Sequence, residues 1–215
     1  MSVIDFKKRH TDNWDVMHEH LQSPDSMVYI DDTNRDFSSP TSIDLNVGSA
    51  YIIPGSNQSF AFPEEGLKVK PHCSVVIYTE QRIKLPYNVF GVVTGKGSFI
   101  FKGCFLSTGK IDPAFDGYLK IGFHNGGNSS LVLKKGDPFA TVFFLNTDAT
   151  LNSPLKEYQT NLNPDLPRLN MMQRCGMYIK EHWLSMLAWS LISIPAFFYY
   201  VVQIIDIVSR WLSQK

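Results

Sequence analysis

Cysteine is scarce in this chain of 215 residues: Cys73, Cys104 and Cys175 are widely spaced and form no CxxC pair. That excludes a disulfide framework and a thiolate zinc site as organising devices, and reduced thiols in a cytosolic domain are expected. Neither sign of charge is in excess, with 20 Lys and Arg against 20 Asp and Glu. A nucleic-acid binder usually carries a surplus of Lys and Arg, so no nucleic-acid partner is expected. The opening, MSVIDFKKRHTDNWDVMHEH, lacks the apolar stretch of a secretory signal. His18 and His20 flank Glu19, which is no recognised metal spacing, so a solvated surface is expected there and no metal site. Long apolar runs are absent as well, until His182.

From His182 to Ile205 the chain reads HWLSMLAWSLISIPAFFYYVVQII without a formally charged side chain. A hydrocarbon core about 30 Å thick needs roughly 20 such residues, so this run is read as a single transmembrane helix acting as a tail anchor. Trp183, Trp189, Tyr199, Tyr200 and Trp211 are suited to anchor at an interface. The alternative is a buried core helix. Lys180 and Arg174 precede the span and Arg210 and Lys215 follow it, so charge alone does not orient it; a cytoplasmic soluble domain is expected. Asp206 either ends the span or, inside it, is expensive and functional.

Ahead of the anchor, short runs rich in Val, Ile, Phe and Tyr alternate with turn residues. The runs are Ala50–Ile53, Ser74–Thr79, Val89–Val93, Tyr118–Phe123, Leu131–Leu133 and Ala140–Leu145. Pro54-Gly55, Gly95-Lys96-Gly97, Asp112-Pro113, Asn125-Gly126-Gly127 and Lys135-Gly136-Asp137 punctuate them. Such spacing predicts an all-β domain, a sandwich or barrel. Five segments follow: 1–39 at the N-terminus, a β domain over 40–149, a linker or arm over 150–181, a transmembrane helix over 182–210 and a tail over 211–215.

The order of the turns is specific. Ser42-Ile43-Asp44-Leu45-Asn46-Val47-Gly48 comes first, then Leu85-Pro86-Tyr87-Asn88-Val89-Phe90-Gly91, Gly95-Lys96-Gly97-Ser98, Ile111-Asp112-Pro113-Ala114-Phe115-Asp116-Gly117 and Leu131-Val132-Leu133-Lys134-Lys135-Gly136. This series resembles the dCTP deaminase and dUTPase superfamily, the deaminase branch most, with its SIDLRLG, LP-x-x-L-x-G, GRSS, IDPGF-x-G and L-x-PG elements. The resemblance covers residues 40 to 147. It implies a distorted β-barrel that assembles as a homotrimer, with nucleotide sites between subunits and a pyrimidine deoxynucleotide as ligand. A trimer would also place three anchors side by side in the membrane. The residues it implies for nucleotide binding are Lys96, Gly97, Ser98, Lys110, Asp112 and Phe115; Mg²⁺ would come only with a bound triphosphate.

The chemistry departs from the family. Deamination needs a residue that activates water and shuttles protons. The family carries it as a Glu three residues before the Asn, where this chain has Gly122. His124 is two residues on and so on the same strand face; it is a substitute base or an ordinary surface histidine. In the GRSS element Gly97 replaces the first serine, and Phe101 stands where a second arginine belongs. Lys96, Ser98 and a glycine-rich backbone can form an anion nest, or simply a tight turn. Asp112, which the resemblance places at the sugar and, in the dUTPase branch, at the hydrolytic water, is catalytic only if the chain is an enzyme. The glycine-rich C-terminal arm of dUTPases has no counterpart. The leading reading is a membrane-anchored, non-catalytic nucleotide-binding sensor or effector. The alternatives are a membrane-tethered deoxynucleotide hydrolase or dCTP deaminase, and a trimeric scaffold without ligand.

Overall fold

The structure is a computed structural model that describes residues 2–13, 26–31, 39–56, 58–148 and 166–213. Residues 150–165 of the expected arm and the His18-Glu19-His20 triplet lie outside the described residues. The chain divides into two units, Met1–Arg168 and Leu169–Lys215.

Among its described residues the first unit is β throughout apart from one short helix. In chain order the strands are β1 His10–Thr11, β2 Val28–Ile30, β3 Ser42–Ile52, β4 Ser59–Ala61, β5 Leu67–Val69, β6 Cys73–Lys84 and β7 Val89–Gly95. The four-residue helix α1, Gly97–Ile100, follows, and then β8 Cys104–Leu106, β9 Gly109–Ile111, β10 Asp116–Asn125, β11 Leu131–Leu133 and β12 Pro138–Asn146. Ten strands join in one sheet along the path β1-β2-β6-β3-β12-β7-β9, with β10 between β6 and β8 and with β4 on β3; β5 and β11 pair separately. The long strands pair antiparallel, as β10 does with β6 and β12 with β3, whereas β1 pairs parallel with β2. The hydrogen-bonded path does not close on itself among the described residues.

Alternation sets the core. Along β10 the residues Gly117, Leu119, Ile121, Phe123 and Asn125 are buried, while Tyr118, Lys120, Gly122 and His124 point away from the core. Leu45, Val47, Ile77, Ile83, Val89, Phe139 and Val142 are fully buried from the other long strands. The N-terminal segment, which carries no readable motif, joins this core: Phe6 is fully buried, its ring stacks on Phe144 at 5.6 Å, and the Ile4 N–H donates to Phe144 O at 3.0 Å.

The register of β10 on β6 shifts between Tyr118 and Lys120. At that bulge the ladder bond is replaced by a side chain, because the Leu119 N–H donates to Thr79 Oγ1 at 3.0 Å and that hydroxyl donates to Gln81 O at 2.9 Å. Bulges of this kind bend and twist the strand that carries them. The crossing of β3 over the same point leaves no room for a side chain: a Cβ on Gly48 would lie 2.5 Å from Thr79 O. This is the physical demand behind the glycine that closes the Ser-Ile-Asp-Leu motif.

The second unit is one helix, α2, Met171–Ser213. It begins ahead of His182, so its first turns occupy residues assigned above to the linker. Nothing between Met171 and His182 breaks a helix, since the segment holds no proline and a single glycine, Gly176. Within it, His182–Leu212 is long and apolar enough to cross a membrane, with mean hydropathy 1.9. Those 31 residues span about 46 Å at 1.5 Å per residue, more than a hydrocarbon core of about 30 Å requires. Pro195 sits inside the helix and removes one i→i−4 hydrogen bond, but the helix continues through it.

Candidate functional site

Three places in the β unit gather the residues that the sequence singles out. The first is the turn from β7 into α1. Lys96 precedes the helix, and its carbonyl accepts the N–H groups of Phe99 at 3.0 Å and Ile100 at 3.2 Å. Those amides are therefore committed to the turn, while Gly97 and Ser98 are exposed beside it. The Lys96 ammonium forms an ion pair with Asp44 of β3. Asp44 also accepts the Thr141 hydroxyl at 2.8 Å from β12, which lies between β3 and β7 in the sheet. The cation of this loop is thus neutralised from a strand 52 positions away, a partner that local spacing does not announce.

Next along the chain is the Asp112-Pro113 turn. Lys110 at the centre of β9 reaches Asp112 at 2.7 Å; the lysine side chain is largely exposed and the aspartate mostly covered. The Phe115 N–H donates to Asp112 O at 3.1 Å, and Phe115 O accepts the Leu85 N–H at 2.8 Å, tying the turn to the Leu-Pro segment before β7. Ala114 stands at φ 64°, where the family pattern has glycine. An L-residue in that region costs about 1–2 kcal/mol, so the turn holds its shape against the preference of its own residue.

Gly122, where the resemblance expects a glutamate, lies elsewhere, in an open groove of about 270 Å³ on the outer face of β6, β8 and β10. Its polar groups come from Ser74, Ser107 and His124. Gly122 forms the floor: its N–H donates to Ser107 Oγ at 2.8 Å and its carbonyl accepts the Ser107 N–H at 2.8 Å. A Cβ at 122 would sit 3.3 Å from Ser107 Oγ, so the serine hydroxyl crowds the space where a longer side chain would begin. His124 shares this face, as the two-residue period requires, and its Nδ1 is 2.9 Å from Ser74 Oγ. Among the described residues no carboxylate lines the groove. Ser74 and Ser107 escape sequence reasoning because each is an unremarkable strand-edge serine until β6 and β8 flank β10.

Behind the groove, Asn125 is fully buried. Its side-chain amide donates to Val69 O at 3.0 Å and Ser129 O at 2.9 Å, and its carbonyl accepts the Gly127 N–H at 3.1 Å. The Asn of the family pattern therefore locks the Asn-Gly-Gly turn here. Burial pushes the neighbouring Cys104 thiol above the usual cysteine range, partly offset by Lys102. Phe105, which lines the groove, is 60% exposed, and Phe101, just after α1, is 90% exposed.

Of the residues expected to bind nucleotide, then, Lys110 and Asp112 are brought together, Lys96 is paired with Asp44, and none of Lys96, Gly97, Ser98, Lys110, Asp112 or Phe115 lines the groove over Gly122. Among the described residues no group of three His, Cys, Asp or Glu side chains is placed to hold a metal.

The dUTPase family model matches residues 63–166. The dCTP deaminase of Thermococcus kodakarensis is 26% identical over 129 residues, covering 60% of this chain and 83% of its own. That of Pyrococcus furiosus is 26% identical over 130 residues, covering 60% and 82%. Among solved structures, the dCTP deaminase of Agrobacterium tumefaciens has a TM-score of 0.45 at 16% identity, covering 52% of this chain, which spans 42% of that one. The dUTPase of Staphylococcus bacteriophage 80alpha has a TM-score of 0.43 at 15% identity, covering 62% and 99%. The motif series, the family model and the curated relatives agree, and the β unit of this chain is similar to the dCTP deaminase/dUTPase superfamily.

Proposed function

We propose that this chain is a membrane-anchored nucleotide-binding protein that senses its ligand without turning it over. Its ligand is a pyrimidine deoxynucleotide, held between the subunits of a homotrimer whose β domains face the cytoplasm. The observation that carries this reading is the groove over Gly122. The family's glutamate is replaced by a glycine packed on Ser107, and among the described residues the lining offers no carboxylate to exchange protons with water or a leaving amine. The ligand class follows from the dUTPase family model and the relatives named dCTP deaminase. The separation of the loop and groove residues within one chain favours sites completed by a neighbouring subunit, as does the exposure of Phe101 and Phe105.

Binding in this scheme acts through Lys96. To meet a phosphate the ammonium must leave Asp44, so the ligand competes with an ion pair that joins the loop to β3, and through Thr141 to β12. A ligand shifts such an equilibrium only by its difference in affinity for the two arrangements. The exposed Lys110 ammonium is the second phosphate contact. Any Mg²⁺ enters with a triphosphate.

A second reading rests on His124. It is the one ionisable side chain lining the groove among the described residues, and a histidine at that place can act as base in a tethered deaminase, as Asp112 can in a hydrolase. The full chain in detergent separates the two. Thermal stability is measured against a nucleotide panel, and dCTP and dUTP turnover is assayed with Mg²⁺ in the same preparation. Ligand-specific stabilisation without product is the expected result. Product that disappears in Asp112→Asn or His124→Ala makes the chain an enzyme, and silence in both measurements leaves a scaffold.

A further inference from the structure

The helix α2 is not uniform around its circumference. At 3.6 residues per turn, Ser185, Ala188, Ile192, Pro195, Tyr199, Gln203, Asp206 and Arg210 fall within an arc of roughly 80°. Their spacings are all three or four residues, as along a helix–helix seam. Gln203 Nε2 donates to Tyr199 Oη at 3.0 Å, and Arg210 pairs with Asp206 at 2.7 Å, so the polar groups line up one turn after another. Pro195 lies on the same arc and leaves the Leu191 carbonyl without its usual i+4 donor. The opposite face carries Met186, Phe197, Val201, Ile204 and Val208. Two further serines are satisfied within the helix, Ser190 donating to Leu187 O and Ser193 to Trp189 O.

We infer that this polar arc is the surface through which copies of α2 associate, in parallel, within the membrane. The inference deepens the membrane-anchored reading and rests on it. In hydrocarbon there is no hydrophobic drive to pair helices, and what selects the contact face is polar side chains and close packing. A primary amide has two donors and an acceptor, and one bond to Tyr199 leaves capacity that lipid cannot meet. Charge complementarity names a second copy as the occupant. Asp206 and Arg210 are opposite in sign and about 6 Å apart along the axis at 1.5 Å per residue. In a parallel pair each carboxylate therefore lies one turn from the guanidinium of the neighbour as well as from its own.

The test uses the full chain in phosphatidylcholine vesicles, in a Cys73→Ser, Cys175→Ser background that keeps only the buried Cys104. Single cysteines are placed on the arc (Tyr199→Cys, Gln203→Cys) and on the opposite face (Phe197→Cys, Val201→Cys), and disulfide dimers are measured after mild oxidation. Cross-linking should be at least five-fold greater on the arc. Equal or reversed yields in chains that float with the vesicles would overturn this inference and leave the membrane reading standing. Chains that do not float would overturn both.

Discussion

The β unit and α2 place the same kinds of side chain in opposite surroundings. In the β unit Ile77, Leu85 and Phe139 are completely buried, and the buried Thr79 hydroxyl both donates and accepts a hydrogen bond. In α2 the residues Trp189, Ile192 and Phe198 are each more than 60% exposed. Water selects the first pattern, because apolar burial contributes about 25 cal/mol per Å². The second pattern has no such drive in water and is the one a lipid environment selects. The difference teaches that the first unit is organised by water and that, on the proposed membrane reading, the second is organised by lipid, so substitutions should separate along the same line.

The sharpest way to break that comparison is to truncate one phenylalanine in each unit. Phe139→Ala should lower the unfolding free energy of the β unit by about 3–5 kcal/mol, the usual loss for an aromatic core residue. Phe198→Ala should leave the same transition, followed by near-ultraviolet circular dichroism in detergent, within about 0.5 kcal/mol. Comparable losses in both would mean that the helix packs into the core.

A smaller effect is expected at the bulge. Thr79→Val keeps the shape but strands the buried Leu119 N–H, which should cost about 1–3 kcal/mol in chemical denaturation. No change would show that another acceptor takes over.

At the Asp112 turn the sign reverses. Ala114→Gly removes an unfavourable left-handed alanine and should raise stability by about 1 kcal/mol, less the extra freedom glycine gains in the unfolded chain. A loss instead would mean that Ala114 makes packing contacts worth more than its strain.

The smallest effect is alkaline. Burial holds the Tyr29 phenol above its ordinary range, with Asp31 adding to the shift, and burial does the same for Cys104. Both groups keep their protons longer in the folded state than in the unfolded one. Their contribution is complete below the ordinary range and is lost as pH rises above about 9 for the thiol and 10 for the phenol. The melting temperature should therefore decline in that window. Tyr29→Phe should flatten the upper part of the decline, and an unchanged profile would show that Tyr29 ionises freely in the folded protein.

Much of the β unit is legible in the sequence. The six apolar runs fall in β3, β6, β7, β10, β11 and β12, because alternation and turn residues act over a few positions and survive tertiary packing. The shared face of Gly122 and His124 is legible for the same reason. β1, β2 and the burial of Phe6 are not: short strands depend on partners far away in the chain, and a lone phenylalanine has no period. The helix start at Met171 escapes because hydropathy marks where an apolar run begins, not where a helix does.

What the sequence alone determined is therefore local: the β alternation, the turn order that carries the resemblance, a glycine at position 122 and an apolar stretch long enough to span a bilayer. Only the tertiary structure decided which groups meet. It paired Lys96 with Asp44, set Ser74 and Ser107 around Gly122 and His124, committed Asn125 to a turn and required glycine at position 48. The reason is physical. Periodicity is written by neighbours a few residues apart, whereas a site is made by strands whose pairing depends on the arrangement of the whole sheet.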